Sequence, residues 1–232
     1  MPYTLKGRNV LVTGGSRGLG ALICEKFAAE GSNVAVNYVS SKDRAEEVAK
    51  KVESYGVKAI CIRGDCGSSE DNTRLVKETV KAFGGIDIII ANAGWTRFAK
   101  FGDLNDLSLD EWNKCWASNV MAHLQLMQAA GPIFDANDEG GVYIITSSVA
   151  GISTGGSSMG YSVTKAAGLH LMKCIAATQG SKVRMNAVLP GLLLTEWGLR
   201  YSEDRIKELK DKAVLKTETD LDDCADMVGE PE

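Results

Sequence analysis

Tyr161 and Lys165 stand four positions apart in Tyr161-Ser162-Val163-Thr164-Lys165, and Ser148 precedes the tyrosine by thirteen. On a helix, residues at that spacing share one face. A free phenol, with a pKa of roughly 10, is a poor proton donor or acceptor near neutrality. A neighbouring ammonium favours the phenolate and draws that value toward working pH, the condition general acid–base chemistry requires. A serine hydroxyl at the same place can hydrogen-bond a substrate oxygen. Together the three residue types describe proton transfer to or from an oxygen polarised by a second donor. Alone, such a Tyr/Lys pair is more often a surface accident, so its meaning depends on the elements that position it.

Short apolar, β-branched runs at 10–13, 33–38, 58–62, 86–91, 142–146 and 183–189 alternate with helical patterns at 19–30, 42–55, 70–83, 109–134 and 161–179. Most of the runs are continuously apolar, as in parallel strands covered on both faces. Gly31, Gly56 and the Gly84-Gly85 pair fall where the first three helices must stop and suit left-handed caps. The alternation predicts an α/β fold in three layers, a doubly wound parallel sheet with right-handed crossovers. No repeat or low-complexity linker interrupts it, so residues 1–232 read as one domain. Ser148 then follows the fifth strand and Tyr161 opens the next helix, at the carboxyl end of the sheet where such folds place ligands.

Composition narrows the function. A chain of 232 residues can bury a substantial core, and a formal net charge of −4 gives no footprint for nucleic acid. No run of 18 apolar residues occurs, so no membrane span is expected. Residues 1–8 lead directly into a strand without the apolar stretch of a signal peptide, which predicts a cytoplasmic protein. The six cysteines include no C-x-x-C pair and read as reduced packing residues. His123 and His170, the two histidines, both fall on predicted helices, which argues against a histidine zinc site or a Ser-His-Asp triad; no metal is expected.

The first strand runs into Gly14-Gly15-Ser16-Arg17-Gly18-Leu19-Gly20, and a helix follows. Glycines let backbone approach a pyrophosphate, and a helix N-terminus supplies N–H donors and partial positive charge. The spacing is G-x-x-x-G-x-G, without the Gly-Lys-Ser/Thr ending of a P-loop. After the second strand, Ser40 and Ser41 stand where an acidic residue would hold the adenosine ribose, and no carboxylate occurs before Asp43. A 2′-phosphate would meet Arg17 and two hydroxyls there, with Lys42 as a helper. The reading favours NADP(H) and leaves NAD(H) open.

The combination resembles the short-chain dehydrogenase/reductase family, with its Rossmann-like fold. The matching residues are Thr13-Gly14-x-x-x-Gly18-x-Gly20, Asn92-Ala93-Gly94, Asn119, Ser148, Tyr161-x-x-x-Lys165, and Pro190-Gly191 followed by Thr195. The stretch Val36-Asn37-Tyr38 before Ser40-Ser41 is similar to NADPH-dependent ketone and 3-oxoacyl reductases. The resemblance implies that Tyr161 is the acid/base, that Lys165 lowers its pKa and holds the nicotinamide ribose, and that Ser148 rather than Ser147 polarises the carbonyl. It implies that Asn119 bends its helix and holds a water of a proton relay. Asp65 and Cys66 would contact adenine, Asn92, Ala93 and Gly94 would line the adenine ribose, and Leu193 and Thr195 would meet the carboxamide. Residues 192–215 would form a substrate lid, with a solvated helix at 202–212; Trp95, Met159, Leu192 and Trp197 are candidate substrate contacts.

Family members usually continue into a seventh parallel strand, which is missing here, so six strands are expected and the run at 183–189 would be left as an edge. The apolar side of the Tyr161 helix suggests a homodimer or homotetramer, although loss of that strand removes one oligomer surface. The expected activity is hydride exchange between a nicotinamide and a ketone or secondary alcohol. The alternatives are a catalytically weak nucleotide-binding regulatory or scaffold protein, and an NAD-dependent alcohol dehydrogenase.

Overall fold

The apolar runs pair as six parallel strands in the order β3-β2-β1-β4-β5-β6 in the computed structural model, which describes residues 3–229. The strands are β1 (Asn9–Val12), β2 (Asn33–Tyr38), β3 (Ala59–Arg63), β4 (Ile88–Ala91), β5 (Gly141–Thr146) and β6 (Val183–Val188). Between them run α1 (Gly18–Ala29), α2 (Lys42–Glu53), α3 (Ser69–Phe83), α4 (Leu109–Trp116), α5 (Ala122–Ala136) and α6 (Met159–Gln179). After β6 come α7 (Glu203–Lys212) and α8 (Leu221–Gly229). The order reverses direction between β1 and β4, the switch point of a doubly wound sheet.

Both faces of the four inner strands are buried, while β6 at the edge exposes Arg184 and Asn186. Val10, Val12, Ile88, Ile90 and Ile144 pack under α1, α2 and α8, while Leu11, Ile89, Tyr143 and Ile145 pack under α3, α5 and α6. Ile88, Ile89 and Ile90 are all completely buried, which is why this strand reads as an unbroken apolar run. Gly31, Gly56 and Gly84 have φ values of +86°, +83° and +87°, in the left-handed region that ends their helices.

Two expectations change. The helix expected at 109–134 is two α-helices joined by a π turn over Ala117–Met121, where Asn119 sits. The Tyr161 helix begins at Met159 because Ser158 caps it, its Oγ accepting from Tyr161 N at 3.1 Å. Among the described residues no strand follows β6. Instead α8 buries Cys224, Ala225 and Val228 in the α1 side of the core, and Lys26 of α1 holds Asp222 at 3.1 Å and Asp226 at 2.7 Å. Residues 1–2 and 230–232, on which the readings of both termini partly rest, lie outside the described residues. No described helix is long and apolar enough to cross a membrane.

Candidate active site

The glycine turn is built against its neighbours. Gly14 takes φ +64°, its N–H donates to Asn37 Oδ1 at 3.0 Å, and Gly15 N–H donates to the Asn37 carbonyl at 2.8 Å. Asn92 Nδ2 donates to the Thr13 carbonyl at 3.0 Å, and Ala93 N–H donates to Thr13 Oγ1 at 2.9 Å, which fastens the ends of β1 and β4 together. A methyl on Gly20 would press on the Gly14 carbonyl and lie 2.6 Å from Asn92 Nδ2, so this turn of helix admits only glycine. Arg17 is the N-cap of α1 and its side chain makes no capping bond. The first N–H groups of α1, beside Ser16, are therefore left to a ligand at the positive end of the helix. Ser41, the N-cap of α2, also makes no capping bond, and Ser40 beside it is exposed. Bare glycine backbone and uncapped N–H donors fit the phosphates of a dinucleotide.

Asp65 lines an open cleft of about 430 Å³ with Val39, Arg63, Gly64, Asp71 and Arg74, next to the end of β2. Cys66 is buried and turned inward, with Sγ 3.8 Å from Asn37 Oδ1; burial pushes its thiol up to about 12. Pro190 accepts from Val149 N–H at 3.1 Å, Gly191 lies beside Thr219, Leu193 packs on the core, and Leu19 is buried.

The catalytic candidates converge from β5, α6 and the π turn. Ser148 follows β5 and stands close enough to Tyr161 to act on its phenol; Ser147 is buried, its Oγ toward the Lys165 carbonyl at 3.5 Å. Lys165, 4% exposed, donates from Nζ to the Thr146 carbonyl at 2.6 Å and lies 5.5 Å from the centre of the Tyr161 ring. Burial lowers Lys165 to about 8, so about nine-tenths of it remains cationic at pH 7. Tyr161 departs from expectation. Burial holds its phenol above the ordinary value, and the neighbouring Ser148 hydroxyl only partly opposes this. Desolvation dominates in this closed arrangement, and the lowering expected from Lys165 does not emerge.

Asn119 is completely buried, and its amide works as a clamp. Oδ1 accepts from Trp95 N–H at 2.8 Å, while Nδ2 donates to the Trp95 carbonyl at 2.9 Å and to Thr164 Oγ1 at 3.0 Å. A methyl on Gly94 would stand 3.2 Å from Asn119 Oδ1 and 3.5 Å from Lys165 Nζ, so Gly94 is the gap across which these two meet. The Asn119 main-chain carbonyl faces α6 at Gly168, where a methyl would come within 3.1 Å of it. His123, four residues on, is held neutral: burial, and then the charge of Lys165, lower it to about 3.

Residues 195–201, within the stretch expected as a lid, sit on this site. A methyl on Gly18 would meet the Thr195 side chain at 3.4 Å. Glu196 pairs with Arg17 at 3.1 Å and also with Arg44. Trp197 lies over Tyr161, ring centres 5.8 Å apart and planes tilted by 49°. Tyr201 packs edge-on against Phe98 at 4.7 Å and anchors the start of α7, which has no buried residue. Met159 lines a small cavity with Leu107 and Trp112, away from Trp197; Lys114 covers the Trp95 ring at 5.0 Å, and the Leu192 carbonyl accepts from Thr219. Sequence reasoning missed Arg44 and Glu196. Arg44 was visible as a basic residue one turn after Ser41, whereas Lys42, the expected helper, pairs with Glu46 at 3.4 Å.

The family model described as short chain dehydrogenase matches residues 8–206. The chain is 33% identical over 225 residues to versicolorin reductase 1 of Aspergillus parasiticus, an alignment covering 96% of this chain and 82% of that protein. It is 31% identical over 223 residues to a 3-oxoacyl-(acyl-carrier-protein) reductase of Staphylococcus epidermidis, covering 96% and 90%. Among solved structures, a short chain dehydrogenase of Burkholderia cenocepacia in complex with NADP superposes with a TM-score of 0.88 at 32% identity, covering 97% of this chain and 90% of the other.

Proposed function

The chain belongs to the short-chain dehydrogenase family, and from that premise we propose that it is an NADP(H)-dependent oxidoreductase interconverting a ketone and a secondary alcohol. The observation that carries the reading is the meeting of Ser148, from the end of β5, with Tyr161 and Lys165, which share one face of α6. A bound nicotinamide supplies or accepts the hydride. Gly14, Ser16, Arg17, Gly18, Leu19 and Gly20 hold its pyrophosphate, and Ser40 and Ser41 take the adenosine ribose end. Asp65, Cys66, Asn92, Ala93 and Gly94 border the adenosine, while Pro190, Gly191, Leu193 and Thr195 border the nicotinamide. NADP in the Burkholderia structure supports the choice of cofactor.

Ser148 and Tyr161 both donate to the substrate oxygen as negative charge develops there, so their effect is greatest in the transition state. Tyr161 gives its proton to that oxygen in reduction and takes one in oxidation. The Lys165 cation stabilises the phenolate left behind, and the Thr146 carbonyl fixes the ammonium beneath the ring. Asn119 holds the Trp95 backbone and the approach to Lys165, where the relay that restores the proton begins. The named activities of the two relatives support a ketone or 3-oxoacyl thioester as substrate, with residues 192–215 as its lid. The reading includes a cytoplasmic homo-oligomer that covers exposed Val163 and its neighbours on α6.

Tyr161→Phe tests the proposal. NADPH oxidation over a panel of ketones, quinones and 3-oxoacyl thioesters is expected to vanish while NADPH binding, followed by calorimetry, persists. Undiminished turnover in this variant would refute it.

A further inference from the structure

Three consecutive lid residues touch three different parts of the site. Thr195 abuts the glycine turn at Gly18, Glu196 is held by Arg17 and Arg44, and Trp197 covers Tyr161. The two arginines come from separate elements, the N-cap of α1 and the first turn of α2, yet both guanidinium groups point at one carboxylate. They flank the carboxyl ends of β1 and β2. In doubly wound sheets the adenosine ribose lies there, and an arginine nearby accommodates a 2′-phosphate. Carboxylate and phosphate are alike to a guanidinium, since both offer paired anionic oxygens to its planar fork.

Resting on the nucleotide reading above, we propose that Glu196 is an internal competitor for the 2′-phosphate, and that Arg44 joins Arg17 in setting selectivity for it. A nucleotide bearing the 2′-phosphate takes the arginines and releases Glu196; one with a free 2′-hydroxyl leaves the pair of contacts in place. Release of Glu196 frees the adjoining Trp197 from Tyr161, so the anion that identifies NADP(H) also uncovers the catalytic phenol. All three side chains of the clasp are largely exposed. Each contact is therefore a weak hold, and occupancy by Glu196 costs the 2′-phosphate a severalfold loss of affinity rather than exclusion.

The test uses the full chain and direct binding. Calorimetric titration with NADPH, NADH and adenosine 2′,5′-bisphosphate is compared for wild type, Glu196→Gln and Arg44→Gln. Glu196→Gln is expected to tighten NADPH and the bisphosphate by about three- to tenfold, and Arg44→Gln to weaken both by a similar factor, with NADH unchanged within about twofold. Acrylamide quenching supplies a second readout. The bisphosphate should raise quenching in wild type, 5′-ADP should not, and Trp197→Phe should abolish the response. An NADPH-to-NADH preference that is present in wild type and unmoved in both variants overturns the clasp alone. Absence of any such preference in wild type overturns the NADP(H) reading and the clasp with it.

Discussion

Replacing Lys165 with methionine separates the electrostatic cost of the site from its chemistry. Burial lowers Lys165 from 10.5 to about 8, and at 1.36 kcal/mol per unit this is about 3 kcal/mol of disfavoured charge. The unfolded chain keeps the proton until near pH 10.5, whereas the folded chain releases it near 8. Between those values the unfolded state binds more protons, so wild-type stability rises with pH; below about 8 both states are protonated and the contribution is flat. Methionine has similar length and no charge, and it leaves the Thr146 carbonyl without the bond now made at 2.6 Å. That loss, about 1–3 kcal/mol, roughly offsets the burial cost removed, so near neutrality the two proteins should unfold with similar free energies. Urea unfolding at equal protein concentration, followed by circular dichroism at pH 7, 9 and 10.5, should show wild type gaining about 3 kcal/mol on Lys165→Met across the range. Groups common to both proteins cancel in that difference. A flat difference would refute the assignment of a desolvated ammonium beneath Tyr161.

Three further outcomes follow from the geometry. Ser148→Ala should lower kcat/KM by about 10²–10³, the loss typical of one oxyanion donor, while Ser147→Ala, whose hydroxyl only reaches the Lys165 carbonyl, should keep most activity; steady-state kinetics distinguishes them. Gly20→Ala sets a methyl against the Gly14 carbonyl and Asn92 Nδ2, and calorimetry should find nucleotide affinity weakened by about tenfold or more, as overpacking of about 1–3 kcal/mol implies. Asn119→Ala strips the partners from both backbone groups of Trp95 and should cost about 2–5 kcal/mol in denaturant unfolding.

The sheet was legible in the sequence because its strands are covered on both faces, so Ile88-Ile89-Ile90 reads as a strand without any alternation. The Tyr161/Lys165 pair was legible because it lies on one helix, where spacing alone decides which side chains share a face. The break around Asn119 was hidden from composition and spacing, and only the family resemblance implied a bend there, since a π turn adds one residue to a helix without any glycine or proline to mark it. The clasp was hidden for another reason: Glu196 is 152 positions from Arg44 and meets it only through the tertiary fold. The same applies to Tyr161. Local reasoning saw the neighbouring ammonium but not Trp197, which closes over the phenol from a different loop.

The π turn at Ala117–Met121 also bears on how this protein can diverge. Deleting any one residue within it would let α4 and α5 fuse into a continuous helix with better local hydrogen bonding. The segments on either side would keep their faces, because a π turn takes up its extra residue locally, but the residues within the turn would be drawn into the regular ladder. Asn119 or its supports would then leave Trp95, and the approach to Lys165 would be lost. Selection here therefore acts on length as well as identity. The segment tolerates change around Asn119 better than a single insertion or deletion, whereas the exposed stretch at 214–217 is free to lengthen or shorten.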